Sequence, residues 1–389
     1  MKEVMELYQQ YVMPTYTKSQ TVLVRGKGTK VYDIEGKEFL DFFPGWAVSG
    51  IGHCHPRVVS AIKNQVKKMI HVSNNYYNEL QARLAEKIVK HSFDGKVFFC
   101  NSGAEAIEGA IKLARRFGYP SRYEIITMEN SFHGRTLGAL TATAQSKYQE
   151  GFAPLPAGFV YAPFNDLEAV KAKITDKTVA IMLEPIQGEG GVNVASVDFL
   201  NGLRKICDEK KILLVFDEIQ TGMGRTGKMF CYQHYDIVPD IMTLSKTLGG
   251  GFPIGALVAK REIADTLQPG MHASTFGGSP LACAASLAVF EAIEDANLVT
   301  KAEIRGKYLA KKLLQLKKEF PFIKNVRGKG LMQGVELDIE GAKIVNSCME
   351  QKLLINCTQK KVLRLMPPLT VKNKEIDMAV SILHNALSA

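Results

Sequence analysis

Three short stretches place residues that can do chemistry directly after apolar runs. In TLSKTLGGGFPIGA, residues 243–256, Lys246 follows the run IMTLS and precedes three consecutive glycines. A lysine beside a loop is ordinarily solvated. One that is desolvated in a crevice, close to other positive groups, loses basicity and can form an imine with a carbonyl compound. In ILLVFDEIQTG a second apolar run ends in Asp217 and Glu218. Two adjacent acids at the edge of a core are costly unless solvated or partnered, so at least one is expected to meet a cation or a protonated ring nitrogen. In VFFCNSGAEAIEGAIKLARRFG, Asn101, Ser102 and Gly103 open a helix on which Ala104, Ile107, Ile111 and Ala114 repeat at helical spacing. A small-residue turn there offers backbone N–H groups and the positive dipole end to a phosphate, or serves simply as a cap.

An imine-forming amine, an acid for a pyridinium and a phosphate-binding helix start are the parts that pyridoxal phosphate requires. Two look-alikes are set aside. GMGRTG, residues 222–227, matches a dinucleotide-binding pattern, with Asp240 at a tempting distance. Two carboxylates directly before the glycines would repel a pyrophosphate, and KMFCYQHYDIVPD shows no helix to carry one. His53-Cys54-His55 has metal-ligand side chains, yet no second cluster matches it and Pro56 follows directly.

The elements that must position these residues read as α/β. VFFC, YEIITM, TVAIMLE, ILLVFDE and IMTLS alternate with helical patterns, which implies mostly parallel strands covered on both faces, in an open sheet. Ligands in such a sheet gather beyond the carboxyl ends of its strands, where all three stretches lie. Residues 1–50 alternate like an antiparallel meander in VLVRGKGTKVYDIEGKEFLDF, and the chain end reads as helix, two strands and a last helix opening near Thr370 with Ile376, Val380, Leu383 and Leu387 on one face. A large domain over 51–285 and a smaller discontinuous α+β domain built from 1–50 and 286–389 are expected.

Composition bounds the rest. The 389 residues are 46% apolar and 23% charged, which describes an ordinary globular protein. No run approaches a membrane span of about 20 apolar residues, and the first residues lack a secretion signal, so a cytoplasmic protein with no membrane role is expected. Seven cysteines without a CxxC pair suggest reduced thiols rather than a disulfide framework or a metal site. The net charge of +10 is spread along the chain, with KKLLQLKKEF as a solvated helix face. It therefore reads as a field for small anions, not as a nucleic-acid surface.

NSGAEA, SFHGRTLGALTAT, EPIQGEGGV, FDEIQTGMGRTGK, PDIMTLSKTLGGGFPIGA and STFGGSPLACAA, in that order, closely resemble the class III aminotransferases of the fold-type I pyridoxal phosphate family, nearest to the acetylornithine type. The likeness runs from about residue 14 to the C-terminus. It implies that Lys246 holds the cofactor and shuttles a proton, while Asp217 pairs with the pyridine nitrogen. Ser102, Gly103 and Ala104 would bind the phosphate, with Thr275, next to Ser274, reaching in from the other subunit of a homodimer. Phe132 and Ile219 would cover the ring faces, and Gln220 would meet the ring hydroxyl.

The same resemblance assigns Arg135 to the donor carboxylate and Arg364 to the α-carboxylate of glutamate or 2-oxoglutarate, with Glu184 masking Arg364 when that carboxylate is absent. Trp46 would overlook the substrate, where these enzymes more often carry a small aliphatic residue, and Tyr16 and Ser274 would meet it. Ile107, in place of the usual Asn, reads as structural. The implied reaction moves the terminal amino group of N2-acetyl-L-ornithine to 2-oxoglutarate, giving N-acetylglutamate 5-semialdehyde and glutamate in arginine biosynthesis. Ornithine, succinylornithine, succinyldiaminopimelate and 4-aminobutyrate are the alternative donors.

Overall fold

A computed structural model describes all 389 residues. At its centre lies a seven-stranded sheet whose strands, in chain order, are β1 (Lys96–Cys100), β2 (Glu124–Met128), β3 (Phe159–Ala162), β4 (Thr178–Leu183), β5 (Leu213–Asp217), β6 (Ile241–Leu244) and β7 (Gly255–Ala259). Their spatial order is β1-β7-β6-β5-β4-β2-β3. Pairing is parallel except where β7 runs antiparallel to both β6 and β1.

The apolar runs are continuous because both faces are covered. Alternate residues of β5 enter two clusters: Leu213 and Val215 join a group of 17 buried residues with Ile107, Ala110 and Leu113 of the helix Gly103–Gly118, while Leu214 and Phe216 join a group of 70 with Phe199 and Leu203 of the helix Val197–Lys210. Ile107 is fully buried in the first group, which agrees with its structural reading. Two strands escape the sequence pattern. β3 lies at the sheet edge and is only partly buried, so its run is short and mixed, and β7 emerges from the glycine-rich turn after Lys246.

The N-terminal meander, Leu23–Lys27, Lys30–Asp33 and Glu38–Asp41, is completed by Leu353–Leu354 from the far end of the chain, parallel to the third strand. A further antiparallel sheet sets Ile323–Lys329, Met332–Leu337, Val362–Leu365 and Asn356–Thr358 side by side. The larger cluster is continuous through all of this, from Leu40 to Leu387. The last helix, Asn373–Ser388, starts three residues beyond Thr370 and buries Ile376, Val380, Leu383 and Leu387.

Strand alternation separates the two adjacent acids. Asp217 faces the helix Gly103–Gly118, whereas Glu218 turns to the opposite side and accepts hydrogen bonds from Thr221 Oγ1 (2.7 Å), Cys231 N (2.8 Å) and Tyr232 N (2.7 Å). Glu218 is thus a strut for the loop over 221–232. Burial raises its pKa from 4.5 to about 7, against the pull of those three donors. An acid whose folded pKa exceeds its unfolded one contributes stability below about pH 4.5 that is lost as pH rises to about 7. We expect Glu218→Gln to flatten the fall in thermal midpoint between pH 4.5 and 7, by a contribution of about 3 kcal/mol at most. An unchanged slope would show that Glu218 does not carry it.

Candidate active site

Beyond the carboxyl ends of β4, β5 and β6 lies a cavity of about 270 Å³, lined by 13 residues that include Gly103, Ala104, Phe132, Arg135, Glu184, Asp217, Ile219, Gln220 and Lys246. Nine of the residues picked from the sequence thus meet in one place. Lys246 reaches it from a short 3-10 turn, Lys246–Gly249, with its own backbone at φ +50°. Burial lowers the pKa of its amine; Glu189 and Asp217 oppose this through space, and no side chain donates to or accepts from it. The glycines after Lys246 serve close packing of the chain. Gly250, at φ +58°, ends the turn where an added Cβ would lie 2.8 Å from Val289, so the loop packs directly on the helix Pro280–Asp295.

Asp217 is aimed from both oxygens. Oδ1 accepts from Ile219 N (3.0 Å) and Thr243 Oγ1 (3.4 Å), and Oδ2 lies 2.7 Å from His133 Nδ1. Burial of His133 opposes its protonation, but the hydrogen bond and charge of Asp217 outweigh this and raise its pKa. His133 was not picked from the sequence, although it sits in the middle of SFHGRTLGALTAT. The signal was there: a histidine between two site residues, able to orient a buried carboxylate.

At the helix start, Ser102 caps rather than lines the cavity, its Oγ accepting from Glu105 N at 3.2 Å. Gly103 and Ala104 N–H groups have no acceptor in the chain and face the cavity. A Cβ at Gly103 would meet Ile219 Cδ1 at 2.9 Å, so glycine there leaves Ile219 its place at the cavity wall. Free helix-start donors, a buried carboxylate, an unpartnered amine and an apolar slot between Phe132 and Ile219 fit pyridoxal phosphate part by part.

The acid that meets Arg364 is Glu189, not Glu184. Arg364, fully buried on the strand Val362–Leu365, donates from Nη1 to Glu189 Oε1 (2.7 Å) and Gln220 Oε1 (3.3 Å), and from Nη2 to Asn356 Oδ1 (2.9 Å). It lies over the Phe43 ring at 4.8 Å. Burial would raise the pKa of Glu189, but Arg364 and Lys246 outweigh this and lower it. Glu184 instead accepts from Phe132 N (3.0 Å) and Gly188 N (3.2 Å), and burial lifts its pKa to about 7. It props the loops on either side of the cavity. Sequence order misled because EPIQGEGGV holds two acids and the strand-end one is more prominent.

Arg135, at the cavity edge, is exposed, 3.8 Å over the Tyr148 ring and without an ion pair. The remaining residues stand apart within the single chain. Trp46 is exposed and reaches Arg364 only through Phe43, which it meets edge-on at 5.5 Å. Tyr16 is 70% exposed and lines a cleft of the N-terminal segment, away from the cavity. Thr275 is exposed, and Ser274 Oγ accepts from Asn101 Nδ2 (3.2 Å) behind the helix start.

The aminotransferase class-III family model matches residues 11–387. The chain belongs to the class-III aminotransferases. Acetylornithine aminotransferase of Methanocaldococcus jannaschii is 54% identical over 384 residues, covering 97% of this chain and 96% of that protein. The enzyme of the same name from Caldanaerobacter subterraneus subsp. tengcongensis is also 54% identical, with 97% of each chain covered. Among solved structures, the ornithine aminotransferase of Toxoplasma gondii ME49 superposes with a TM-score of 0.96 at 33% identity, over 100% of this chain and 94% of that one. The fold of this class-III aminotransferase is accordingly fold-type I, with the sheet described above.

The two glutamates predict opposite outcomes. Glu189→Gln removes the charge that occupies Arg364, so glutarate, a dicarboxylate that cannot react, is expected to bind about tenfold more tightly by calorimetry. Glu184→Gln is expected to lower the thermal midpoint while moving that affinity less than about threefold. The reverse pattern would return the masking role to Glu184.

Proposed function

We propose that this class-III aminotransferase transfers the terminal amino group of N2-acetyl-L-ornithine to 2-oxoglutarate, using pyridoxal phosphate, as a cytoplasmic homodimer. The observation that carries the reading is Lys246: a buried amine of lowered basicity, free of protein partners, facing Asp217 across one cavity. The names of the two 54%-identical relatives support the donor.

When bound, pyridoxal phosphate supplies an aldehyde that takes up amines and a ring that draws electrons from the carbon bearing the nitrogen. Gly103 and Ala104 N–H groups would hold its phosphate, Phe132 and Ile219 its two faces, Asp217 its ring nitrogen, and Lys246 its aldehyde carbon. His133 keeps Asp217 in line for that nitrogen. Gln220, whose oxygen accepts from Arg364 and which also pairs with Glu189, would meet the ring hydroxyl. Lys246 Nζ would serve as the base that takes a proton from the terminal carbon of the donor and delivers it to the carbon on the other side of the transferred nitrogen, a 1,3 transfer. A desolvated amine is suited to this because it is neutral closer to working pH.

We assign the donor carboxylate to Arg135, a reading supported by its place at the cavity edge with no acid of the chain paired to it. A free α-ammonium beside Arg135 would add like charge to the same corner, and an acyl group removes it. Arg364 would stay occupied by Glu189 while such a donor reacts, and the α-carboxylate of 2-oxoglutarate would compete for it by planar bidentate pairing. Free ornithine is the second reading, favoured by the close superposition on the ornithine enzyme.

Thr275 is assigned to the partner's phosphate site, because it lies at the surface of its own chain beside Phe276, which is 62% exposed. Tyr77, fully exposed, and Met13, 80% exposed, add to the apolar surface that a second copy would cover. No helix is long and apolar enough to cross a membrane.

The test is a half-reaction screen in which holoprotein meets acetylornithine, ornithine, succinylornithine and 4-aminobutyrate in turn while the cofactor absorbance is followed. Acetylornithine is expected to react fastest; a place among the slowest removes it as donor. Lys246→Ala is expected to lower turnover by about 10³-fold or more, and borohydride should fix the cofactor on Lys246 and nowhere else.

A further inference from the structure

Arg225 is fully buried, is charged, and has no acid to meet. It stands in the loop after the site residues Asp217 to Gln220, and burial alone lowers its pKa to about 9. A guanidinium is not kept in such a place for solubility, and an unpaired buried cation is costly. What it does contact is specific. Nη1 donates to two carbonyls, Leu331 O at 3.0 Å and Pro367 O. Leu331 follows Gly330, which at φ +52° makes the tip between Ile323–Lys329 and Met332–Leu337; Pro367 lies three residues after Arg364. The backbone answers in the other direction, Leu331 N donating to Arg225 O at 3.0 Å. An added Cβ at Gly330 would lie 2.4 Å from the Thr226 carbonyl carbon, so the two segments touch backbone to backbone.

Arg225 therefore clasps two parts of the chain. One carries Asp217 and Gln220 at the end of β5, and the other carries Arg364 on an antiparallel sheet formed by residues more than a hundred positions away. The two parts meet in the site where Arg364 Nη1 reaches Gln220 Oε1 at 3.3 Å. We infer that Arg225 is a positioning residue that registers Arg364 against Gln220 and so sets how tightly the enzyme holds the dicarboxylate acceptor. Bidentate pairing tolerates little displacement, and an error of about 1 Å at a remote support can cost about 100-fold. The donor side, held by Arg135 on a different loop, does not pass through this clasp.

The inference rests on the proposed role of Arg364, and the test keeps the two apart. Holoenzyme variants Arg225→Met, Arg225→Lys and Arg364→Ala, with Leu313→Ala as a core control, are compared by glutarate calorimetry, thermal midpoint and the two half-reactions. Arg225→Met is expected to weaken glutarate and raise the KM for 2-oxoglutarate about tenfold or more, with the donor half-reaction changed less than about threefold. Arg225→Lys, whose ammonium can still reach a carbonyl, should recover part of that loss. If Leu313→Ala, at an equal drop in midpoint, weakens glutarate as much, or if Arg225→Met slows both half-reactions alike, Arg225 is merely structural and the inference fails. Should Arg225→Met fail to fold, Arg225→Gln decides, because its short amide cannot span both carbonyls: wild-type glutarate affinity despite a lowered midpoint overturns the inference. Undiminished glutarate binding in Arg364→Ala would instead remove the underlying role of Arg364.

Discussion

Everything in the site depends on Asp217 and Lys246 being delivered to the same crevice by neighbouring parallel strands. Asp217 pairs in register with Thr243, three residues before Lys246, so two ionisable groups far apart in sequence arrive together at the carboxyl edge of the sheet. A slip of one residue would send Asp217 to the face where Glu218 lies. The continuous apolar runs on both sides of the sheet make such a slip costly, because each alternate residue belongs to a different packed layer. Core packing thus specifies the chemistry: the same alternation that fills two layers puts one acid in the cavity and the other under a loop.

Much of this was legible in the residues themselves. Five of the seven strands announce themselves because burial on both faces demands unbroken apolar runs, and the residues after three of those runs are site residues. Edge strand β3 and strand β7 carry weaker signals, one from partial exposure and the other from the glycines before it. The local roles that depend on side-chain direction were not legible. Ser102 could cap or bind, and its Oγ caps Glu105 N. Glu184 and Glu189 are five residues apart in one motif, and only the path of the chain decides which meets Arg364. His133 and Arg225 were hidden for the same reason, since their partners lie on other elements.

The electrostatics divide into a fixed part and a part that can change partners. Asp217 is held by Ile219 N, Thr243 and His133, all on buried elements, so its orientation costs no rearrangement when a ligand arrives. Lys246 has no such ties, which suits the role of cofactor-holding amine and base proposed for it. Arg364 sits between these extremes. Asn356 and Gln220 hold it in place through side chains of the surrounding structure, while the strong contact is to a carboxylate that an incoming substrate carboxylate can mimic.

That division explains why the pairing acid stands at position 189 and not at 184. Glu184 closes β4, and both its oxygens are committed to backbone N–H groups, so turning it toward an arginine would strand Phe132 N and Gly188 N in a dry interior. Glu189 lies in the turn between Gly188 and Gly190, its side chain 18% exposed, with Arg364 as its ion-pair partner. In the proposed exchange, leaving Arg364 would take Glu189 toward water, where a carboxylate is well solvated, and would give Arg364 the carboxylate of the acceptor instead. A group that must let go is therefore placed on a glycine-flanked turn at the cavity mouth, and a group that must hold is placed at the end of a buried strand. The charge on Arg364 stays partnered in both conditions, which is the requirement a fully buried guanidinium imposes on any enzyme that uses it for one substrate and not for the other.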